Sequence, residues 1–448
     1  MSAERRELRR TPHLLIGALA GVGLLTILGS GGGGIGLPET LTLSAEAVGP
    51  AQVNLNWTPH PDLVTGYVVY RDGTSITDVY VSGTALSDTD ISPQTRYCYV
   101  VYAYLALYGE VGRSNSSCVQ TLAAGEGWSI ETVGSGGSPD LVVTDAAIHL
   151  AYDNGMLMHA SNAGGTWQTE TVDGSAGATP AIGIDAAGAL HVAYGDTSSY
   201  DLKYATNVTG VWIDELVDVQ GDTGFSPALA VATDSTIHMS YHVWWDGPVA
   251  TFDLRYAAGE AGSWTTTTIG QVATNGGDTA IAVDSQGKVH VSYVAGDVEC
   301  SVVYASNVSG TWQTRSLGRC PLGHGYTDIA VDDDDHVHVV FQGYQAADAT
   351  FALCYATDAG GEWVDAQIEA FDWIPGAVSI AIDGTGRVHV SYADHNASLK
   401  YATNASGTWD TRFVDVDTLA NAIALGPDDA VHIAYSAQSG TIRHAVKR

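Results

Sequence analysis

Charge is scarce in this 448-residue chain, and positive charge is scarcer still. Charged residues make up 15%, with Lys and Arg at 18 against 50 Asp and Glu, a formal net charge of −32 at pH 7. Lysine occurs only as Lys203, Lys288, Lys400 and Lys447. A field of that sign repels phosphate backbones and excludes a nucleic-acid-binding role. No Walker, nucleophile-elbow or zincin motif appears. Long hydrophobic runs are missing apart from Leu14 to Leu28. What is plentiful is Gly, Val, Thr, Ser and Tyr, which predicts an all-β protein. A hydrophobic fraction of 45% is enough for a core and excludes wholesale disorder.

Arg5, Arg6, Arg9 and Arg10 precede that one apolar run, the order of a charged n-region and an h-region. A glycine-rich tether, Gly29 to Gly34, follows. Residues 1–36 therefore read as a signal or anchor with its tether. The expected location is outside a bacterial cell or on its surface, with membrane contact only through this segment if it is retained. Ile27-Leu28-Gly29-Ser30 resembles a bacterial lipoprotein box, but Ser30 stands where the lipidated Cys belongs and cannot form its thioether. Export permits disulfides. Cys98 and Cys118 lie evenly about the turn at Tyr108-Gly109, and Cys300 and Cys320 about Asn307–Gly310, so two bridges are expected. Cys354 is left over as a buried inert thiol.

In residues 41–123, Val53, Leu55 and Trp57 alternate with Asn54 and Asn56, the period of a half-buried strand. Tyr67-Val68-Val69-Tyr70 ends in an Arg71-Asp72-Gly73 turn, and Ile91 to Tyr97 leads into Tyr99, Val101 and Ala103. This segment resembles a fibronectin type III domain. The resemblance implies a β-sandwich with Trp57 in its core, Tyr97 in a tyrosine corner, and a spacer role.

Residues 124–448 repeat. An element of the form His-x-Ala/Ser-Tyr recurs at His149, His191, His238, His290, His389 and His432, and at His338 with Phe341 in place of Tyr. A Trp closes each unit at 167, 212, 264, 312, 363 and 409, and Trp128 stands ahead of the first. The period is about 46 residues, the length of a four-stranded propeller blade. The last unit lacks its fourth strand, and Trp128 to Val133 is placed to supply it. The expected fold class is all-β: a seven-bladed β-propeller, its ring closed by that N-terminal strand, preceded by the fibronectin type III sandwich. Ser161 to Trp167 and Thr357 to Trp363 resemble shortened Asp-box turns of sialidase-like propellers. That resemblance raises glycan chemistry, yet a sialidase clamps its substrate with three Arg. Here only Arg319 is placed to reach the loop face.

The repeated His are expected to be structural, since seven-fold placement keeps them a blade apart and unable to converge on one metal. Asp332 to Asp335 reads as a solvated turn, with Ca²⁺ as the alternative; no cofactor is otherwise expected. The repeats diverge in the loops between strands b and c and between units. His242-Val243-Trp244-Trp245-Asp246, Gln342-Gly343-Tyr344, Phe225, His324, Tyr326, Phe371, Asp372 and Trp373 fall there. Exposed rings beside carboxylates suit sugar stacking or a protein hot spot. The candidate ligand-binding residues are Trp244, Trp245, Asp246, Tyr326, Tyr344 and Trp373, with no catalytic or metal-binding residue assigned. The expected function is non-catalytic binding of a glycan or protein. The alternatives are a glycan-active hydrolase or lyase of sialidase-like architecture, using a carboxylate pair among Asp196, Asp201, Asp246, Asp328, Asp372 and Asp394, or a structural surface component.

Overall fold

The computed structural model describes residues 39–47, 53–77, 80–88, 90–92, 94–106, 109–121, 127–175, 177–245, 251–272, 277–296, 300–320, 325–345, 350–371 and 376–447. The N-terminal segment 1–36, Asp246 and Trp373 lie outside them. Every regular element among the described residues is a β-strand, in nine sheets.

Two of the sheets belong to residues 39–120. Leu43–Ala47, Val53–Trp57 and Ala85–Asp88 form the smaller; Gly66–Arg71, Arg96–Leu105 and Gly109–Ser114 form the body of the larger. Their inward residues meet in one core of Leu43, Leu55 and Trp57 against Tyr67, Val69 and Val101. The alternation of Val53, Leu55 and Trp57 is thus the pleat of a strand buried on one face. The Tyr97 hydroxyl accepts the Ser92 N–H at 2.9 Å, tying the chain to the start of its strand. Cys98 and Cys118 sit directly opposite each other on paired strands and are bridged.

The other seven sheets each have four antiparallel strands, an arrangement consistent with a β-propeller. We number them by their first strand, a: Gly137–Val143, Gly177–Ile184, Asp222–Val231, Thr279–Val283, Thr327–Val331, Val378–Ile382 and Thr418–Leu425. Strands b, c and d follow in order away from a. Each a strand packs against the next, and the seventh packs back against the first. In sheet seven, a is followed by Val431–Ala437 and Thr441–Lys447, and the fourth strand is Trp128–Ser135, with Trp128 opposite Lys447. The b strands are buried on both faces because each is covered by neighbouring sheets, whereas d strands show exposed positions.

In sheets two, four, five and six the turn between a and b is built by one Asp, and in sheet one by Thr144. Asp185 Oδ1 accepts the N–H groups of Ala187 and Ala189, and Asp284 and Asp383 repeat the pattern. Asp332 does the same with Asp334 and His336, so the acidic run is a hydrogen-bonded turn. The second oxygen of each turn Asp lies 3.2–3.4 Å from Nε2 of the recurring His. With Nε2–H directed at the carboxylate, Nδ1 accepts the hydroxyl of a strand c Tyr at 2.6–2.7 Å: Tyr204, Tyr304, Tyr355 and Tyr401. His238 makes the same 2.6 Å bond to Tyr256. In sheets one and seven a second His replaces the Tyr, as His149–His159 and His432–His444 at 3.0 Å. Each of these strand c rings then meets the Trp of the next sheet at 4.9–5.5 Å between centroids, from His159–Trp212 round to His444–Trp167. The His and Trp signatures therefore serve one purpose: they join each sheet to its neighbour.

Cys300 and Cys320 are bridged at the outer end of sheet four. Cys354 is half-buried, and burial pushes its thiol up to about 11, which keeps it protonated and unreactive.

Candidate functional site

The a strands begin at the end of the ring that also carries the b–c connections. There every one of the seven sheets contributes to a single cavity of about 370 Å³. Ser138-Pro139, Thr179-Pro180 and Ser226-Pro227 line one side, Gly277-Asp278 and Gly325-Tyr326 another. Ser138, Thr179 and Ser226 hold φ of 46°, 46° and 44°, each at an irregularity in the a–b ladder and each before a proline. Left-handed backbone at a non-glycine residue is strained and is kept only where its surroundings enforce it. Here it turns three successive strands into the cavity wall.

Below the rim the inner strands are laced by carboxylates. Asp140 takes the N–H of Leu141 and, across the sheet boundary, that of Ile182. Asp328 takes the N–H of Ile329 and reaches Ile380 N–H and the Ser379 hydroxyl in the next sheet. Asp278 takes the N–H of Thr279 and Thr327. Burial, with mutual repulsion centred on Asp328, lifts Asp140 and Asp278 to about 7 and burial lifts Asp328 to about 6. Among the described residues no cation acts on any of the three.

Sheet three projects a long hairpin, Ile237–Trp245 paired with Thr251–Glu260. Trp244 stands opposite Phe252 with ring centroids 6.5 Å apart. Phe252 meets Phe225 at 6.4 Å, and Phe225 meets Tyr200 of sheet two at 6.1 Å. Four rings thus form a continuous row across the end of sheet three, with Tyr200 51% exposed. Trp245 points to the other strand face. Its Nε1–H donates to Asp253 at 2.9 Å and the Arg255 guanidinium lies 5.5 Å over its ring. The two adjacent tryptophans are therefore separated by the pleat, and only Trp244 joins the row. Tyr344 forms a second tip pair with Phe351 at 5.4 Å, at the corresponding place in sheet five. Tyr326 lies apart from both, 40% exposed on the cavity wall. Tyr200 and Phe252 escaped sequence reasoning; the only signal for Tyr200 was its place in a b–c connection.

His242 lies two residues before Trp244, fully buried with neither ring nitrogen hydrogen-bonded, and burial drives it down to about 4. The imidazole is neutral at any physiological pH.

Other carboxylates at this end are committed. Asp173, Asp218, Glu369 and Asp415 each receive a Tyr hydroxyl and a cation from the following sheet: Tyr194 and Lys203, Tyr241 and Arg255, Tyr392 and Lys400, Tyr435 and Arg443. Two of the four lysines are spent in these clamps. Burial alone would raise Asp173, but Lys203, Tyr194 and Ser175 hold it well below the usual carboxylate range. Asp196 and Asp394, two members of the carboxylate set considered for hydrolysis, instead fasten their own turns through Ser198 and Ser199, and through Asn396 and Ser398.

The chain matches no protein-family model and no curated protein. Solved structures with similar chain paths include a lectin of Aleuria aurantia in complex with Fucα1-6GlcNAc, 12% identical over 59% of this chain and 90% of that one, TM-score 0.43. AofleA from Arthrobotrys oligospora is 13% identical over 73% of this chain and 87% of its own, TM-score 0.44. A polysaccharide lyase of the PL25 family, an ulvan lyase, is 13% identical over 71% and 95%, TM-score 0.48. These are likenesses of chain path, and no residue role is carried over from them.

Proposed function

We propose that this is an exported, non-catalytic glycan-binding protein. In this reading residues 1–36 are the signal or anchor, 41–123 a fibronectin type III spacer, and 124–448 a seven-bladed propeller with its ligand on the face bearing the b–c connections. The closed sequence of a strand contacts supports the blade number, and the Tyr97–Ser92 bond supports the spacer's family.

The observation that carries the function is the ring row Tyr200, Phe225, Phe252 and Trp244. The blade does not need it: the equivalent of Trp244 is Gly155 in the first sheet, Thr197 in the second and Gly296 in the fourth. Half-exposed aromatic rings offer apolar faces to the C–H surfaces of a sugar. Tyr326 and Tyr344 are further contacts in this reading; the other two candidates, Asp246 and Trp373, lie outside the described residues. Trp245 contributes by holding the hairpin rather than by touching ligand.

The test is a glycan array followed by titration of the bound glycan. Trp244→Ala is expected to weaken binding about tenfold, near 1.4 kcal/mol, without product release from the glycan. Absence of any glycan ligand, or turnover of the glycan, overturns the reading.

A further inference from the structure

The cavity at the start of the a strands is chemically one-sided. Asp278 and Tyr326 line its wall, and among the described residues no Lys, Arg or His does. The Tyr326 ring is 40% exposed there, and its hydroxyl makes no hydrogen bond among the described residues. Asp278 lines the same cavity as Tyr326 and acts on it electrostatically. Asp328 repels both Asp278 and Asp140. Elsewhere at this end four carboxylates have acquired a Lys or Arg partner, so an unpaired carboxylate beside an open cavity is a departure from the molecule's own habit. An aromatic face next to an acid in a partly desolvated recess is a receptor for an alkylammonium, which gains from the ring quadrupole and from the charge together.

We propose that this cavity receives the protonated amine of an amino sugar, seated between the Asp278 carboxylate and the Tyr326 ring. The inference rests on the glycan reading above and names its substrate class: a glycan with free rather than acetylated amines. N-acetylation removes the charge and adds bulk, leaving the carboxylate without its cation. The rest of the sugar chain then runs outward over the rim.

The experiment titrates the full chain with the hexamer of β-1,4-glucosamine and with the matching N-acetylglucosamine hexamer. The expected result is binding of the free-amine hexamer about tenfold tighter than the acetylated one. Asp278→Asn keeps an oxygen for the Thr279 N–H and is expected to fold, as a thermal melt verifies; it should cut the ratio between the two hexamers below about threefold. Tyr326→Leu should reduce the same ratio. Equal affinity for the two hexamers overturns the proposal, as does a ratio that survives Asp278→Asn. If both hexamers bind equally and Trp244→Ala weakens both, the glycan reading stands and the amine site falls. If neither hexamer binds, the amine site falls and the array decides the broader reading. Capture of a tetralysine peptide in preference to either hexamer overturns the amino-sugar assignment.

Discussion

At the scale of single residues, the molecule is held by neutral imidazoles. Nine of them, including His149, His191, His242, His290 and His444, are driven below the usual histidine value chiefly by burial. An unfolded chain takes up protons near pH 6.5 that the folded one refuses. The stability these groups provide is therefore whole above that pH and declines as pH falls through it. Asp140, Asp278 and Asp328 work in the opposite sense, since folding raises them to about 7, 7 and 6 and acidification relieves their repulsion. Asp153 and Asp417, raised by burial, and His336, raised by Asp332, act with them, so nine groups oppose six and the urea midpoint is expected to be lower at pH 5 than at pH 7.5. An unchanged or higher midpoint at pH 5 would show that the buried carboxylates dominate instead.

At the scale of elements, the two disulfides clip strands that hydrogen bonding already pairs. The Cys300–Cys320 bridge closes a loop of sequence separation 20 at the end of sheet four. Replacing both cysteines by serine is expected to cost about 3 kcal/mol, read as a shift in the denaturation midpoint; the same shift should follow reduction of the wild type at Cys300–Cys320. The strand order and these bridges were legible because they are local: period-2 alternation, an Asp turn with its Gly, and cysteines placed evenly about a turn. So were the recurring His and Trp, because repetition exposes any residue the unit cannot do without. The ring row was only half legible. Trp244 announces itself by leaving the repeat, but its separation from Trp245 depends on the pleat. Its partnership with Phe252, Phe225 and Tyr200 depends on how far a hairpin projects and how close sheet two comes. The roles of Asp140, Asp278 and Asp328 were hidden for the same reason, since their hydrogen-bond partners such as Ile182 and Ile380 lie about a full repeat further along the chain.

At the scale of the whole molecule, integrity hangs on the sheet made from both ends of the repeat region. Trp128–Ser135 pairs along its length with Thr441–Lys447, Glu131 accepts from His444 at 3.0 Å, and Ile442 and Ala445 are fully buried. Deleting residues 441–448 removes a fourth of that sheet and bares the edges of Trp128–Ser135 and Val431–Ala437. The expected outcome is loss of the wild-type elution peak on size-exclusion chromatography, with aggregation through the uncovered edges. Deleting a surface turn of equal length from sheet six should leave the elution unchanged, which separates closure from mere shortening.

That shared sheet also sets a schedule. Glu131 and His444 stand 313 positions apart, so the first strand of the ring is made long before the strand that covers it. Throughout synthesis it must wait without its mate, and docking of the two is among the last events of folding. The interval in which it waits is when the chain is most open to proteolysis and to the attentions of chaperones.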